Sequence, residues 1–191
     1  MRTVRAFVMS LLLAAAAMFF SAESLAQAGN TNWQAKVRQQ LPLLGHRNWI
    51  LIVDSAYPLQ VSPGVETIET GAGEIAVTRA VLAAVDHSIH VRPIVYTDAE
   101  LPFLAAQDFS GIATYRDELK KILEGRVVKS MPHEQILGMI GEAGKSYKVL
   151  VLKTTMTMPY TSVFLQLDCK YLSAEGEQKL RQAMKAGGAV R

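Results

Sequence analysis

The chain alternates between short apolar runs and longer segments in which apolar residues recur every three or four positions. Two runs, WILIV at 49–53 and VLVL at 149–152, are continuously apolar, which is typical of strands buried on both faces of a sheet. Further extended segments are predicted at 65–70, 90–96, 127–128 and 163–167. The helical period predicts helices at 32–44, 74–85, 98–104, 115–123, 130–143 and about 173–186.

Strands that alternate with helices in this way predict the α/β class, with a single domain whose largely parallel sheet is flanked by helices. Pro93 interrupts the third strand and places it at an edge or a bulge, because proline has no N–H to donate. Ser130 is predicted to cap the helix that follows it, with Pro132 in the first turn. Ser173 is predicted to cap the last helix.

The first 26 residues have the layout of an export signal. Arg2 and Arg5 precede an uncharged stretch at 6–20, and the small residues of SAESLAQA suit cleavage after Ala26. The apolar run is shorter than the roughly 20 residues that cross a bilayer. We therefore expect a signal peptide at 1–26, a domain at 27–191, a periplasmic or secreted location, and no membrane association after cleavage.

Composition excludes several classes of protein. Half of the 191 residues are hydrophobic and 19% are charged, which excludes a disordered chain. A formal charge of +3 is too small to indicate binding to nucleic acid or to membranes. The one cysteine, Cys169, excludes an intramolecular disulfide framework. We expect Cys169 to be a small buried or half-buried residue, or to pair with another chain.

Candidate chemistry is expected where buried strands end, because ligands of parallel sheets bind beyond the carboxyl ends of the strands. Asp54 directly follows WILIV, and the segment 159–162 follows VLVL. The four histidines show no zinc-binding spacing, and the Gly-Ala-Gly turn at 71–73 lacks a third glycine. Taken singly, His46 reads as a helix-terminating residue, His133 as a surface residue and Tyr160 as a core or interface aromatic.

Four motifs in order change this interpretation. They are Leu44-Gly45-His46, Asp54 eight residues later, the triplet His133-Glu134-Gln135, and Pro159-Tyr160-Thr161-Ser162. Over roughly residues 42–168 this pattern resembles the D-ribose pyranase / L-fucose mutarotase (RbsD/FucU) family. The resemblance implies an RbsD/FucU-like α/β fold and a homo-oligomeric ring whose sites lie at subunit interfaces.

The resemblance also implies site residues. Its proton-donating histidine falls on His46, its substrate-binding aspartate on Asp54 and its second histidine on His133. Its Tyr-Ala-Asn triplet falls on 160–162, where this chain has Tyr160, Thr161 and Ser162. The chain departs from the family in this triplet, at 62–74, in about 20 residues after Cys169, and in its export signal, since the family is normally cytoplasmic.

These residue types suit the interconversion of sugar anomers or ring forms, in which one oxygen gains a proton as another loses one. Histidine, with an ordinary pKa near 6.5, can do both near neutral pH without a metal or cofactor. We expect an isomerase that acts on a monosaccharide, with catalytic His46, Asp54 and His133. Asp54, His133, Tyr160 and Ser162 are the expected substrate-binding residues.

Two other functions stay open. The first is a sugar-binding protein that has lost catalysis through its altered triplet. The second is a structural ring in which the crevice is vestigial. A serine hydrolase is a weaker alternative, because the sequence has no G-x-S-x-G motif.

Overall fold

The structure is a computed structural model and describes residues 32–188. The predicted signal peptide at 1–26 lies outside the described residues. From Trp33 onward the chain forms one compact unit. Among the described residues, no helix is both long enough and apolar enough to cross a membrane.

Within residues 32–188, five α-helices flank one sheet. They are α1 (Trp33–Gln40), α2 (Glu74–His87), α3 (Ile112–Leu123), α4 (His133–Ser146) and α5 (Ala174–Ala186). Two short 3₁₀ turns, Leu41–Leu43 and Leu101–Phe103, follow α1 and precede α3.

The sheet has six strands in the order β2-β5-β1-β6-β3-β4. Their bounds are β1 (Trp49–Val53), β2 (Val65–Glu69), β3 (Val91–Asp98), β4 (Val128–Met131), β5 (Val149–Lys153) and β6 (Val163–Cys169). Parallel pairs join β1 to β5, β2 to β5 and β3 to β4, whereas β6 runs antiparallel to both β1 and β3. The α/β class with a largely parallel sheet is therefore confirmed.

Alternate residues of the central strands feed two separate cores. Ile50 and Ile52 of β1 point to the face covered by α1, α2 and α3. Trp49, Leu51 and Val53 point to the face covered by α4. All five residues are at most 2% exposed, as a strand buried on both faces requires.

The sheet directs five strands toward one edge, which we call the carboxyl edge. Since β6 is antiparallel, its first residue Val163 lies at this edge as well, opposite Thr97 of β3. The opposite edge, which we call the amino edge, holds the start of β1 and the end of β6. Candidate residues therefore divide according to the edge on which they lie.

The prediction of a helix over 98–104 is wrong. Asp98 is the last residue of β3, because this strand stays paired with β4 through Met131. Only the 3₁₀ turn Leu101–Phe103 follows, and it carries Pro102, which cannot donate an N–H to a longer helix.

The predicted N-cap of α4 is also wrong. Ser130 belongs to β4, and Pro132 occupies the N-cap position without a capping side chain. The prediction for Ser173 is confirmed, since its Oγ accepts the N–H of Gly176 at 2.9 Å. The helix that it caps, α5, contains no buried residue.

Pro93 lies within β3 at a level where the strand pairs only with β6. Pairing with β4 begins at Val95, whose N–H bonds to the carbonyl of Val127. The nitrogen of Pro93, two residues earlier, points to the same side, where β4 has not yet begun. Pro93 therefore lies at a local edge of the sheet, as the sequence predicted.

Candidate functional site

Polar side chains converge at the carboxyl edge of the sheet. Asp54 follows β1, Asp98 ends β3, and His133 opens α4 directly after β4. Tyr160 and Ser162 lie in the segment that enters β6. This arrangement results from the strand directions, which bring the ends of β1, β3 and β4 and the start of β6 to one place.

His133 and Asp98 form a hydrogen-bonded pair, with 3.0 Å between His133 Nδ1 and Asp98 Oδ1. The Asp98 side chain is fully buried, and that of His133 is 21% exposed. Burial raises the pKa of Asp98 to about 6, although the hydrogen bond with His133 opposes this rise. Since an ionised carboxylate only accepts, the neutral imidazole paired with it carries its proton on Nδ1 and has its lone pair on Nε2.

Glu100 fixes the position of His133. Both carboxylate oxygens of Glu100 accept the backbone N–H of His133, at 3.1 and 3.2 Å. This contact satisfies a free N–H at the start of α4 and places a negative charge at the positive end of the helix dipole. Glu100 thus supplies the cap that the sequence predicted for Ser130.

Tyr160 packs edge-on against His133, with 5.5 Å between the ring centroids and 86° between the planes. It is 37% exposed, which excludes a core aromatic and leaves a ligand site or a subunit interface. Its φ of 56° lies in the left-handed region, where side chains other than glycine are uncommon. Backbone in this region tends to occur at functional sites.

Ser162 lies beside Asp98. The pairing of Thr97 with Val163 makes Asp98 and Ser162 the next neighbours along β3 and the segment before β6. Each residue is 1% exposed, and neither Asp98 Oδ2 nor Ser162 Oγ has a hydrogen-bond partner among the described residues. Buried polar atoms are seldom left unpaired, so these two oxygens have hydrogen-bonding capacity that the described residues do not use.

Asp54 is half-buried, and its Oδ1 accepts the N–H of Ala56 at 2.8 Å. Its charge contributes to raising the pKa values of Asp98 and of a third carboxyl, that of Glu74. The structure therefore places Asp54 at the same edge of the sheet as His133, Tyr160 and Ser162.

Glu74, the first residue of α2, was not predicted to belong to the site. Only 1% of it is exposed, and its Oε2 lies 3.0 Å from Thr161 Oγ1. Burial raises its pKa to about 8, against the hydrogen bond from Thr161 and with the help of the charges of Asp54 and Asp98. A glutamate in the first turn of a helix is usually exposed, so no sequence pattern indicates this burial.

Asp98 was also missed, although a signal for it existed. It follows the apolar stretch of β3 just as Asp54 follows that of β1. The apolar pattern ends at Tyr96, so the sequence predicts that Asp98 begins a helix.

His46 lies at the amino edge, away from the other predicted site residues of the same chain. Its Nδ1 is 3.1 Å from Asp168 Oδ1, and its side chain is 57% exposed. Asp168 also accepts from Nε and Nη2 of Arg92, at 2.9 and 2.7 Å. The length of β1, about 13 Å between the Cα atoms of Trp49 and Val53, separates His46 from the carboxyl edge.

The two remaining histidines each contact a backbone carbonyl oxygen. His87 Nδ1 lies 2.6 Å from the carbonyl of Ala83, and His90 Nε2 lies 2.9 Å from that of Leu44. Cys169 is free and half-buried. Within residues 32–188, no three His, Cys, Asp or Glu side chains are placed to hold a metal ion.

The chain was compared with known families, curated proteins and solved structures. No family model and no curated protein matches it. RbsD from Bacillus subtilis, complexed with D-ribose, is 17% identical, with a TM-score of 0.50 over 72% of this chain and 92% of that chain. The match defines the class of fold, a mixed α/β sheet with helices on both faces.

Two further structures match with lower scores. FucU from Bifidobacterium longum is 16% identical, with a TM-score of 0.45 over 70% of this chain and 96% of that chain. The fucose mutarotase of Streptococcus pneumoniae, in complex with L-fucose, is 17% identical, with a TM-score of 0.46 over 68% of this chain and 89% of that chain. The chain has an RbsD/FucU-like fold.

Proposed function

We propose that the protein binds a monosaccharide at the carboxyl edge and interconverts its anomers or ring forms. The observation that carries the proposal is the hydrogen bond between His133 and the buried Asp98, beside the exposed edge of Tyr160. The unpartnered Oδ2 of Asp98 and Oγ of Ser162 support it, because they offer sites for sugar hydroxyl groups. The bound ribose of the RbsD structure, which has the same fold, is consistent with such a ligand.

The chemistry requires two proton movements. The anomeric hydroxyl loses a proton while the ring oxygen gains one, so that the ring opens, and closure reverses both movements. Nε2 of His133 is free to accept the first proton, because Nδ1 is engaged with Asp98. A positioned acid or base of this kind typically contributes about 10² to 10⁴ in rate.

The ring oxygen must receive the second proton, and the candidate donors are His46 and the hydroxyl of Tyr160. The resemblance makes His46 the proton donor, but within one chain it lies at the amino edge. We propose that a homo-oligomeric ring brings His46 of one copy to the carboxyl edge of the next. The 57% exposure of the His46 side chain is consistent with such a shared site.

One observation favours a second candidate function, a sugar-binding protein without catalysis. Ser162 stands where the family has an asparagine, and its short hydroxyl is 1% exposed. If His46 does not reach the crevice, the second proton donor is reduced to Tyr160. If the Tyr160 hydroxyl does not donate either, the sugar binds without exchange.

We also propose that the protein is exported to the periplasm or secreted. The n-region, apolar stretch and small residues of positions 1–26 support this proposal. Cell fractionation, with determination of the first residue of the processed chain, tests it. A start at Gln27 is expected, and a full-length cytoplasmic chain would contradict the proposal.

The function is tested by saturation-difference proton NMR on the processed protein with ribose, fucose, galactose and glucose. Transfer of saturation between anomeric protons that depends on the protein establishes the exchange and identifies the sugar class. Binding without transfer would select the second candidate function. Absence of both would contradict a sugar site and leave the structural ring.

The shared site is tested by mixing two inactive variants, His46→Ala and His133→Ala. If each site uses residues of two copies, mixed rings contain some sites with both histidines intact, and part of the exchange activity returns. If all site residues come from one chain, mixing restores nothing. The control is His46→Ala alone, taken through the same mixing procedure.

A further inference from the structure

Glu74 lies directly against the segment that carries the site residues Tyr160 and Ser162. Thr161, which lies between Tyr160 and Ser162 in the sequence, makes this contact and is fully buried. Its Oγ1 is 3.0 Å from Glu74 Oε2, while the other carboxyl oxygen, Oε1, has no hydrogen-bond partner. Glu74 therefore contacts the residue that separates the two site residues in the sequence.

The hydrogen bonds of the Thr161 hydroxyl indicate whether Glu74 is protonated or ionised. Thr161 Oγ1 is 3.0 Å from Glu74 Oε2 and also 3.0 Å from the carbonyl oxygen of Met158. A hydroxyl has one proton, whereas a carbonyl and an ionised carboxylate both only accept. With Glu74 ionised, one of the two acceptors is left unpaired; with Glu74 protonated, the acid donates to Thr161 and Thr161 donates to Met158.

The groups around Glu74 favour the protonated form. Asp54 from the loop after β1 and Asp98 from β3 are both acidic, and their charges oppose a third negative charge. Tyr115 of α3 donates its hydroxyl to the carbonyl of Thr161, and its weaker interaction with the Glu74 carboxyl favours the ionised form. The positive end of the α2 dipole favours the ionised form, but burial of the carboxyl outweighs it and raises the pKa to about 8.

We propose that Glu74 is a positioning residue that acts as a neutral carboxylic acid and holds Tyr160 and Ser162 in the crevice through Thr161. The consequence for ligands rests on the proposed sugar site. When Glu74 loses its proton, the single hydroxyl proton of Thr161 is donated either to the carboxylate or to the carbonyl of Met158, so the segment loses one of the two hydrogen bonds made by this hydroxyl. Ligand binding then weakens in alkaline solution even though no residue that contacts the ligand has changed.

The first test needs no ligand, so its outcome is independent of the proposed function. The carboxyl carbons of glutamate are followed by NMR as a function of pH in the processed protein. We expect one glutamate resonance to titrate near pH 8, to be absent from Glu74→Gln, and to be accompanied by shifts of the Tyr160 and Ser162 amide resonances. Titration of every glutamate below pH 6 would overturn the proposal, as would a Glu74 titration that leaves these two amides unmoved.

The second test compares sugar binding by Glu74→Gln and Glu74→Ala with wild type between pH 6 and 9. Glutamine keeps a donor to Thr161 but cannot ionise, so we expect it to rescue binding and to abolish the alkaline loss. Alanine removes the donor, and binding should weaken about tenfold at all pH values. Equal losses in the two variants, or an alkaline loss that persists in Glu74→Gln, would overturn the proposal. Glu142→Gln, on the exposed face of α4, is the control.

If wild type binds no sugar at any pH, the proposed function fails but the first test still decides the role of Glu74. If Glu74→Gln does not fold, the pH dependence of the Tyr160 and Ser162 amides in wild type alone supplies the answer. Movement of both amides near pH 8 supports the proposal, and their constancy up to pH 9 contradicts it.

Discussion

Nδ1 of His133 lies 3.0 Å from Oδ1 of Asp98, and this hydrogen bond joins the first residue of α4 to the last residue of β3. The aspartate is fully buried, whereas the histidine reaches the surface. The carboxylate orients the imidazole and selects the tautomer that leaves Nε2 free to take a proton. This relationship gives the carboxyl edge its capacity for acid/base chemistry.

Replacing Asp98 by asparagine removes the charge that orients His133. We expect Asp98→Asn to slow sugar exchange by about 10²-fold or more, within the range for a misplaced acid or base. Asp117→Asn, on the exposed side of α3, should have no effect. Exchange rates measured by NMR at pH 7 provide the test, and equal rates for Asp98→Asn and wild type would contradict the assigned role.

The exchange rate at acidic pH should follow the protonation of the Asp98 carboxylate. Because the pKa of Asp98 is raised to about 6, lowering the pH below this value protonates the carboxylate and removes the acceptor of the Nδ1 proton. We predict that exchange by wild type falls as the pH decreases from 7 to 5. A rate that stays constant over this range would show that the ionised form of Asp98 is not required.

The contribution of Glu74 to stability should decrease between about pH 4.5 and pH 8. The pKa of Glu74 is raised in the folded protein to about 8 from 4.5, so the folded state holds a proton that the unfolded state has released. The favourable contribution is complete below about pH 4.5 and is lost as the pH rises through 8, by about 1.4 kcal/mol for each pH unit between these limits. Urea unfolding of wild type and Glu74→Gln from pH 5 to 9 should show wild type losing stability relative to the variant.

Tyr160→Phe tests whether the hydroxyl of this residue contacts the ligand. The ring keeps its edge-on packing against His133, so the fold should be unchanged, while loss of one hydrogen bond should weaken sugar binding by roughly 1 kcal/mol. Tyr171→Phe, 81% exposed outside the site, is the matched control. Calorimetric titration with the sugar identified by NMR measures both variants, and equal affinities would remove Tyr160 from the site.

Gly64 provides a test of the fold alone. A Cβ at this position would lie 2.2 Å from the carbonyl oxygen of Tyr147 and 2.6 Å from that of Gly144, both backbone atoms. Gly64→Ala should therefore destabilise the protein by about 1–3 kcal/mol or more, since it overpacks the junction of β2 and α4. Gly138→Ala, on an exposed part of α4 with nothing within 4 Å, should instead stabilise it by about 1 kcal/mol.

Much of the fold could be predicted from local pattern. The runs at 49–53 and 149–152 are apolar at every position because both faces of β1 and β5 are covered, and this property is visible in the sequence. The direction of β6 could not be predicted in the same way. Its sequence fits an extended segment, but insertion between β1 and β3 is determined by partners more than 60 residues distant.

The site was predicted only in part for a similar reason. Asp54, His133, Tyr160 and Ser162 follow or precede strands, and the strand directions bring them together at the carboxyl edge. Glu74 was not predicted because its hydrogen-bond partner Thr161 lies 87 positions away in the sequence. His46 follows the motif of the resemblance, but the position of its motif at the start of β1 places it at the opposite edge of the same chain.

The central claim is that His133 at the carboxyl edge moves protons on a bound monosaccharide. It is tested most directly by saturation transfer between anomeric protons with wild type, His133→Asn and His87→Asn. We predict exchange with wild type and with His87→Asn, and a loss of about 10²-fold or more with His133→Asn. Exchange by His133→Asn at the wild-type rate would contradict the claim.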